Sequence, residues 1–153
     1  MPGHVVQISV SPGGVPKQPV AQAAVDGAGV AGDAQAHPEF HGGPDRAVCL
    51  WAEEVINELR AEGHAIAPGW AGENLTVMGL DWPAIVPGVR LRVGAELLLE
   101  ITGYTTPCAA NARWFKGGDF SRISQKKHPG SSRVYARVLA PGAVRPGDPV
   151  EVA

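Results

Sequence analysis

The sequence predicts a mainly β fold of the β-barrel type, with one main helix and short helical turns. Twenty glycines and 14 prolines among 153 residues interrupt helices and favour turns. Short aliphatic and β-branched runs alternate with these turns, which is typical of sheets built from many short strands. Aromatic residues make up only 6% of the chain, so aliphatic side chains must form most of the core. The length suits a single domain over 1–153.

The strands are predicted from short apolar or alternating runs, and the helix from a longer amphipathic one. The predicted helix covers 52–63, because Val55, Ile56 and Leu59 share one face and Gly63 can form its C-cap. The segment 26–45 shows no sustained hydrophobic period, which is typical of a functional loop or of a disordered segment. The predicted strands are 4–10, 20–25, 46–51, 74–77, two strands within 89–104 that turn at Gly94–Ala95, and strand–turn–strand over 132–152.

Charge and the chain start exclude several classes of protein. Thirteen basic and 15 acidic residues give a formal charge of −2, which argues against a strongly basic nucleic-acid-binding protein. The start MPGHVVQISV lacks a basic region followed by a long apolar stretch, and no segment reaches membrane-spanning length. We therefore expect a cytoplasmic protein without a membrane or nucleic-acid partner, its two cysteines reduced.

The two cysteines lie in different sequence contexts. Cys49 stands between Val48 and Leu50 in an apolar run, where a buried thiol behaves as a small hydrophobic side chain. Cys108 follows a proline in TTPCAAN, and the CAANARWF stretch can form a helical turn. A helix N-terminus and nearby cations favour the thiolate form of a cysteine. Cys108 is thus a candidate nucleophile, sulfur carrier or soft-metal ligand, with a half-buried structural thiol as the alternative.

Basic residues are concentrated after Cys108. Seven of the 13 basic residues and one of the 15 acidic residues, Asp119, lie between Cys108 and Arg137. This local excess predicts a site for a small anion such as phosphate, with a solvated basic surface as the alternative. The basic residues are Arg113, Lys116, Arg122, Lys126, Lys127, Arg133 and Arg137.

Two further patterns carry weaker signals. HPEFH places His37 and His41 four residues apart, but Pro38 and the adjacent glycines disfavour the helix that a zinc pair would need. No third ligand is evident, so we expect no zinc site. GWAGENL is too short for a phosphate-binding loop of known spacing, and its Glu73 and Asn74 can equally bond the backbone of a tight turn.

Four motifs together resemble one family. HGGPDRAV at 41–48, GWAGENLTV at 69–77, PC at 107–108 and YARVLAPGAVRPGDPV at 135–150 stand in the order found in MOSC domains, which are named after the C-terminal part of molybdenum-cofactor sulfurase. The resemblance extends from about position 4 to position 152. It implies a barrel-like domain whose cysteine acts on or binds molybdenum cofactor (molybdopterin).

The resemblance also implies roles for individual residues. Cys108 corresponds to the thiolate that ligates molybdenum in reductase members or carries sulfur in sulfurase-type members. The pocket-lining residues implied are His41, Gly42, Gly43, Asp45, Arg46, Glu73 and Asn74. Asn111, Arg113 and Arg133 become candidates for holding the phosphate of the pterin, in agreement with the basic residues that surround Cys108.

The implied partners follow from what the chain lacks relative to family members. The chain ends after GDPVEVA, so we expect no further C-terminal helical segment. We also expect neither the N-terminal barrel of amidoxime-reducing relatives nor the pyridoxal-phosphate domain of sulfurases. Two cysteines cannot hold an iron–sulfur centre, so electrons must come from a separate protein, or sulfur from a cysteine desulfurase. Three functions stay open: reduction of N-hydroxylated substrates, transfer of sulfur or cofactor, and non-redox binding of a small anion.

Overall fold

A computed structural model describes residues 3–34 and 43–153. Within these ranges the chain forms eleven strands and one α-helix, with short 3₁₀-helices between them. The strands are β1 Gly3–Val10, β2 Gln18–Val20, β3 Ala23–Asp26, β4 Gly29–Val30, β5 Val48–Ala52, β6 Leu75–Met78, β7 Arg90–Val93, β8 Leu97–Tyr104, β9 Val134–Ala140, β10 Gly142–Val144 and β11 Pro149–Val152. The α-helix α1 is Glu53–Ala61, and the 3₁₀-helices are Pro44–Arg46, Trp82–Ala84, Ala109–Trp114, Lys116–Gly118 and Phe120–Ile123.

Seven strands close into a barrel, which confirms the predicted fold class. Their order is β11-β7-β8-β9-β5-β6-β1, and β11 pairs with β1 to complete the circle. At this seam Gly3 lies opposite Val150 and His4 opposite Pro149. β2 pairs with the second half of β1, while β10, β3 and β4 form a separate small sheet. Closure leaves the seven barrel strands without an open edge.

The helix α1 connects two parallel strands of the barrel. β5 and β6 run parallel, with Leu50 opposite Leu75, and a parallel pair requires a crossover connection. Val55, Ile56 and Leu59 are buried on one face of α1, as their spacing predicts. Glu53 and Glu54 occupy its first turn, where carboxylates interact favourably with the helix dipole. The helix begins one residue after the predicted start and ends two residues before the predicted end.

The core is mainly aliphatic, as the composition predicts. Leu50, Leu75, Leu91, Leu97 and Leu99 are fully buried, and burial of each such side chain contributes about 1.5–3 kcal/mol. The two buried tryptophans bond their indole N–H groups to the segment before β9, since the carbonyls of Ser131 and Ser132 each accept one at 3.0 Å. The barrel wall is thereby fastened to the polypeptide that follows Cys108.

The predicted strand at 20–25 is divided between two sheets. Its first residue, Val20, is the last residue of β2 beside β1, whereas β3 pairs with β10 at Val25–Gly142. The exposed residues Ala21 and Gln22 separate the two strands. The turn predicted at Gly94–Ala95 is present between β7 and β8, and Gly94 has φ +65°, which favours glycine. Among the described residues, no helix is both long and apolar enough to cross a membrane.

Candidate functional site

Cys108 lies at the bend between β8 and the first 3₁₀-helix after it. Four residues without regular structure, 105–108, follow β8, and Cys108 is the N-cap of helix Ala109–Trp114 with φ −114° and ψ 137°. Its carbonyl accepts a hydrogen bond from the Asn111 N–H at 2.9 Å. The thiol is half-buried. The position at a bend therefore leaves it accessible, in contrast to a core cysteine.

A cavity of about 430 Å³ opens beside this cysteine. This volume lies within the range of small-molecule and cofactor pockets. The wall contains the segment around Cys108 and aromatic residues from β8 and β9. It is lined by Arg46, Tyr104, Thr106, Pro107, Cys108, Ala109 and Tyr135.

Among the described residues of the HGGPDR stretch, 43–46, one belongs to this wall. Arg46 lines the cavity, with its guanidinium 5.5 Å from the centre of the Tyr135 ring. Asp45 is exposed and pairs with Arg137 at 3.4 Å, and its carbonyl accepts a hydrogen bond from the Thr102 hydroxyl. Gly43 is exposed with φ +98°, a conformation that favours glycine. His37, His41 and Gly42 lie outside the described residues.

Glu73 lies buried in the turn that precedes β6. Its Oε2 accepts hydrogen bonds from the Gly69 N–H at 2.9 Å and the Thr76 hydroxyl at 3.1 Å. Burial raises the pKa of Glu73 above its ordinary value of 4.5. Its second oxygen, Oε1, is buried without a hydrogen-bond partner among residues 3–34 and 43–153.

Asn74 connects three segments that are distant in sequence. Its Oδ1 accepts the Cys49 N–H at 3.0 Å, while its Nδ2 donates to the Ser9 carbonyl at 3.3 Å and the Asp33 carboxylate at 2.9 Å. Asp33 in turn forms a buried ion pair with Lys17 at 2.6 Å. Neither Glu73 nor Asn74 belongs to the wall of the cavity beside Cys108, and their role as pocket residues stays a prediction.

Asn111 and Arg133 meet at one backbone carbonyl. Both donate to the Ala71 oxygen, Asn111 Nδ2 at 3.0 Å and Arg133 Nη1 at 2.6 Å. Both side chains are buried, with 1% and 5% of their surface exposed. Asn111 Oδ1 and Arg133 Nε and Nη2 have no hydrogen-bond partner within the described part of the chain. Asn111 Oδ1 is an acceptor, whereas Arg133 Nε and Nη2 are buried donors, which are normally satisfied; the Arg133 guanidinium therefore marks a place where an anion can bind.

The remaining basic residues do not gather at one point. Arg113 is exposed, donates to the Val15 carbonyl at 2.6 Å and lies 4.4 Å from the centre of the Trp114 ring. Arg122 forms ion pairs with Glu58 and Glu62 of the α1 region, and Arg137 pairs with Asp45 and Glu100. Carboxylates from other segments thus neutralise the charges of Arg122 and Arg137, two of the basic residues that are clustered in the sequence.

Two residues of this region, Tyr135 and Thr105, were not predicted from the sequence to belong to the site. Tyr135 forms part of the cavity wall, and burial raises the pKa of its phenol to about 12. Its hydrogen-bond partner Thr105 is 3% exposed and lies 3.8 Å from Cys49 Sγ. A signal was present in the sequence, because Tyr135 is a polar-tipped aromatic between the apolar residues Val134 and Ala136.

Cys49 is buried, as its apolar context predicts. Burial raises the pKa of its thiol above the ordinary value of 9.0, which keeps the group protonated and unreactive at neutral pH. Its sulfur nevertheless contacts the Thr105 hydroxyl rather than only aliphatic neighbours.

Comparison with known proteins extends these observations. The profile of the MOSC domain matches residues 37–151. YiiM of Escherichia coli is 31% identical over 160 residues, covering 95% of this chain and 68% of that protein. Its crystal structure superposes with a TM-score of 0.73 at 26% identity, over all of this chain and 70% of the other. YflK of Bacillus subtilis, an uncharacterised protein, is 33% identical over 79% of this chain, which spans only 54% of YflK.

A fourth comparison concerns the fold alone. The YuaD protein of Bacillus subtilis superposes with a TM-score of 0.79 at 22% identity, over 99% of this chain and 96% of that chain. The closed barrel with its single main helix is thus found in a solved structure of almost the same extent. The sequence profile and the identity to YiiM together establish that the chain belongs to the MOSC domain family.

Proposed function

We propose that this protein binds molybdenum cofactor, with Cys108 as the thiolate that ligates the metal. MOSC domains are associated generally with molybdenum-cofactor binding. The observation that carries the proposal is the position of Cys108, half-buried on the wall of a cavity large enough for a cofactor. The other thiol, Cys49, is buried and therefore unsuited to this task.

The residues of the chain fit the chemistry of this group at two points. A thiolate is a soft ligand of the kind that suits a metal already held by sulfur. The cofactor also ends in a phosphate, for which the Arg133 guanidinium offers two buried donors, Nε and Nη2, without a partner in the described chain. Arg46 adds a positive charge to the cavity wall. When bound, the cofactor supplies a metal centre that changes oxidation state during reduction of a substrate.

The chain itself then has three tasks. Cys108 holds the metal side of the cofactor at the bend after β8. Arg133 and Asn111, both fastened to the Ala71 carbonyl, bind the anionic end. Tyr104 and Tyr135 place aromatic surface around the cavity and limit the access of water. Electrons for reduction of an N-hydroxylated substrate would come from a separate electron-transfer protein.

The accessibility of Cys108 also favours a second function, that of a sulfur carrier. In this role the outer sulfur of a desulfurase persulfide passes to the Cys108 thiolate. The S–S bond of the donor breaks as the new S–S bond forms, and the donor cysteine leaves as a thiolate. Such a transfer needs an accessible acceptor, and the half-buried Cys108 thiol is more accessible than the buried Cys49 thiol.

The test is metal and pterin analysis of protein purified from a host that makes molybdenum cofactor. We expect about one molybdenum and one pterin per chain in wild type, and loss of molybdenum in Cys108→Ala. Arg133→Met should lower the pterin content, whereas Lys127→Met, which removes an exposed charge on the same segment, should not. Ser124→Ala controls for loss of a polar group outside the cavity, and thermal unfolding of every variant controls for folding.

Three other results would contradict the proposed ligation. Equal molybdenum in wild type and Cys108→Ala would mean that the thiolate is not the ligand. No cofactor, together with a persulfide on the Cys108 peptide after incubation with a cysteine desulfurase and free cysteine, would establish the sulfur carrier. No cofactor and no persulfide, with phosphate stabilising wild type and Cys108→Ser alike, would identify a non-redox anion-binding protein.

A further inference from the structure

We propose, on the basis of the function proposed above, that residues 11–17 form a strap over the Arg133 guanidinium, and that this strap opens to admit the anionic end of the ligand. Arg113 holds the strap closed through a hydrogen bond to Val15. The strap connects β1 with β2 and has no regular secondary structure. In this arrangement Arg133 is the residue that touches the anion, while Arg113 is a positioning residue.

The Arg133 guanidinium does not line the cavity beside Cys108. Arg133 is only 5% exposed, and its Nε and Nη2 are buried without a hydrogen-bond partner in the described part of the chain. The cavity wall is formed by other residues. A segment next to Arg133 must therefore move before an anion can contact these two donors.

The strap lies close to the Arg133 guanidinium at Gly72. A Cβ added at Gly72 would lie 3.2 Å from Val15 Cγ1 and 3.8 Å from Arg133 Nη1. Lys17 Cε would lie 4.0 Å from the same point. The aliphatic groups of Val15 and Lys17 thus surround one small space together with the guanidinium. The strap is therefore one wall of the enclosure around Arg133.

Buried polar contacts fasten the two ends of the strap. The Ser11 N–H donates to Asp33 Oδ1 at 3.0 Å, and Lys17 Nζ forms an ion pair with Asp33 at 2.6 Å. The Lys17 N–H also donates to the Gly69 carbonyl at 3.0 Å. Because Ser11 and Lys17 are both buried, water competes little for these contacts. Opening is therefore confined to residues 12–16 between the two ends.

The middle of the strap depends on Arg113. Among residues 3–34 and 43–153, the only hydrogen bond that joins 12–16 to a distant segment runs from Arg113 Nη2 to the Val15 carbonyl, at 2.6 Å. The other bonds of this stretch are local and join it to Ser11. The stretch also contains two adjacent glycines with positive φ, which give its backbone conformational freedom.

The other two walls around Arg133 are fastened by buried groups. The turn before β6 is held by the buried carboxyl of Glu73, which bonds to the backbone of the same turn. The helix Ala109–Trp114 is held by the buried Asn111 side chain, which donates to the Ala71 carbonyl. The bond from Arg113 to the strap is instead exposed, and water competes for an exposed hydrogen bond. The strap is thus the wall that opens at the lowest cost.

The role of Arg113 is tested first without any ligand. Val15→Cys in a Cys108→Ala background places one half-buried thiol on the strap, since the remaining thiol, Cys49, is buried. Its rate of reaction with iodoacetamide, a small neutral reagent, then reports how often the strap opens. We expect Arg113→Met to raise this rate about five- to tenfold. Arg92→Met, which removes an exposed arginine from β7, should leave it unchanged. Equal rates with and without Arg113 would overturn its role.

The second arm measures release of ligand from cofactor-loaded protein. An anion beneath the strap leaves only when the strap opens, so Arg113→Met should lose pterin during dialysis faster, by the same factor as the thiol reaction. Val15→Ala keeps the carbonyl that Arg113 binds but removes the methyl groups beside Gly72, and it should also speed the loss. Arg92→Met is again the control, and equal thermal unfolding of all variants separates the effect from misfolding.

Two results of this arm would contradict the strap. Faster loss of pterin in Arg113→Met without a faster thiol reaction would mean that Arg113 binds the ligand directly. Equal rates of pterin loss in Arg113→Met, Val15→Ala and wild type would mean that the ligand leaves by a path that avoids residues 11–17.

Failure of the proposed function is distinguishable from failure of this inference. If wild type takes up no cofactor, the proposed function fails, and inorganic phosphate becomes the probe. Phosphate bound to Arg133 beneath the strap should slow the thiol reaction at position 15, and Arg133→Met should abolish this effect while Lys127→Met retains it. Such a result would support the strap for another anion. Equal rates with and without phosphate would overturn it.

Discussion

Glu73 is a completely buried carboxyl group, and one of its two oxygens has no hydrogen-bond partner among the described residues. The side chain has no exposed surface, yet only one of its oxygens accepts hydrogen bonds from described residues. Desolvation raises the pKa of Glu73, and this effect is larger than the lowering by the Gly69 hydrogen bond and the Arg133 guanidinium. Folding therefore favours the protonated form of this carboxyl, in which one oxygen can donate a hydrogen bond.

This assignment predicts a pH dependence of stability. With a raised pKa the folded state keeps the proton while the unfolded chain loses it, so the free energy of unfolding falls as pH rises above about 4.5. Glu73→Gln retains an acceptor for Gly69 and should remove this fall. Urea unfolding at pH 4.5 and at neutral pH measures it, with the exposed Glu96→Gln as control. Equal pH profiles of wild type and Glu73→Gln would show that the carboxyl is ionised in the folded protein.

The segment between β8 and β9 is the element that carries the site. Three 3₁₀-helices follow Cys108, and such short helices supply little stability of their own. The segment is instead fastened by its contacts with other elements. Arg122 donates to Glu62 at 2.7 and 2.8 Å and to Ser131 at 3.1 Å. The Lys116 N–H donates to His64 Nδ1 at 2.9 Å, and the Ala65 N–H to the Trp114 carbonyl at 2.9 Å.

Arg122→Met is therefore expected to loosen this segment more than the barrel. Amide hydrogen exchange over 109–123 should become faster, while exchange in β8 and β9 should stay close to that of wild type. Lys126→Met removes an exposed positive charge from the same segment and serves as the control. Faster exchange throughout the barrel would mean that the segment and the barrel open as one unit.

The molecule as a whole depends on the seam between its first and last strands. β1 and β11 are separated by almost the entire sequence, yet their pairing closes the barrel. Val150 at this seam is fully buried and lies opposite Gly3 on one side and Val93 on the other. An added Cβ at Gly3 would clash with the Met78 carbonyl of β6, so β1 also approaches its other neighbour closely beside the seam. Packing at the seam leaves little room for adjustment.

Val150→Ala should accordingly destabilise the whole protein by about 2 kcal/mol, since it leaves a small cavity in the closed wall. Val152 on the same strand is 61% exposed, so Val152→Ala should stay within about 0.5 kcal/mol of wild type. Urea unfolding followed by tryptophan fluorescence measures both variants. Equal effects of the two substitutions would argue against tight packing at the seam.

The sequence by itself determined the features that depend on local pattern. Turn residues at short intervals predicted a strand-rich barrel, and one amphipathic run predicted α1 to within two residues. The proline before Cys108 and the small residues after it predicted an accessible thiol at a bend. Four motifs in order indicated the family, which the profile match then established. These features can be predicted from the sequence because backbone propensity and side-chain periodicity are properties of neighbouring residues.

The tertiary structure alone decided which distant residues meet. It paired Arg122 and Arg137 with carboxylates from other segments, and it placed Asn74 between Cys49, Ser9 and Asp33. It also set Tyr135 opposite Cys49 through the register of β5 and β9. A shift of one residue in that register would turn Tyr135 to the other face of the wall. Long-range pairing is fixed by the packing of the closed barrel, and no local pattern in the chain encodes it.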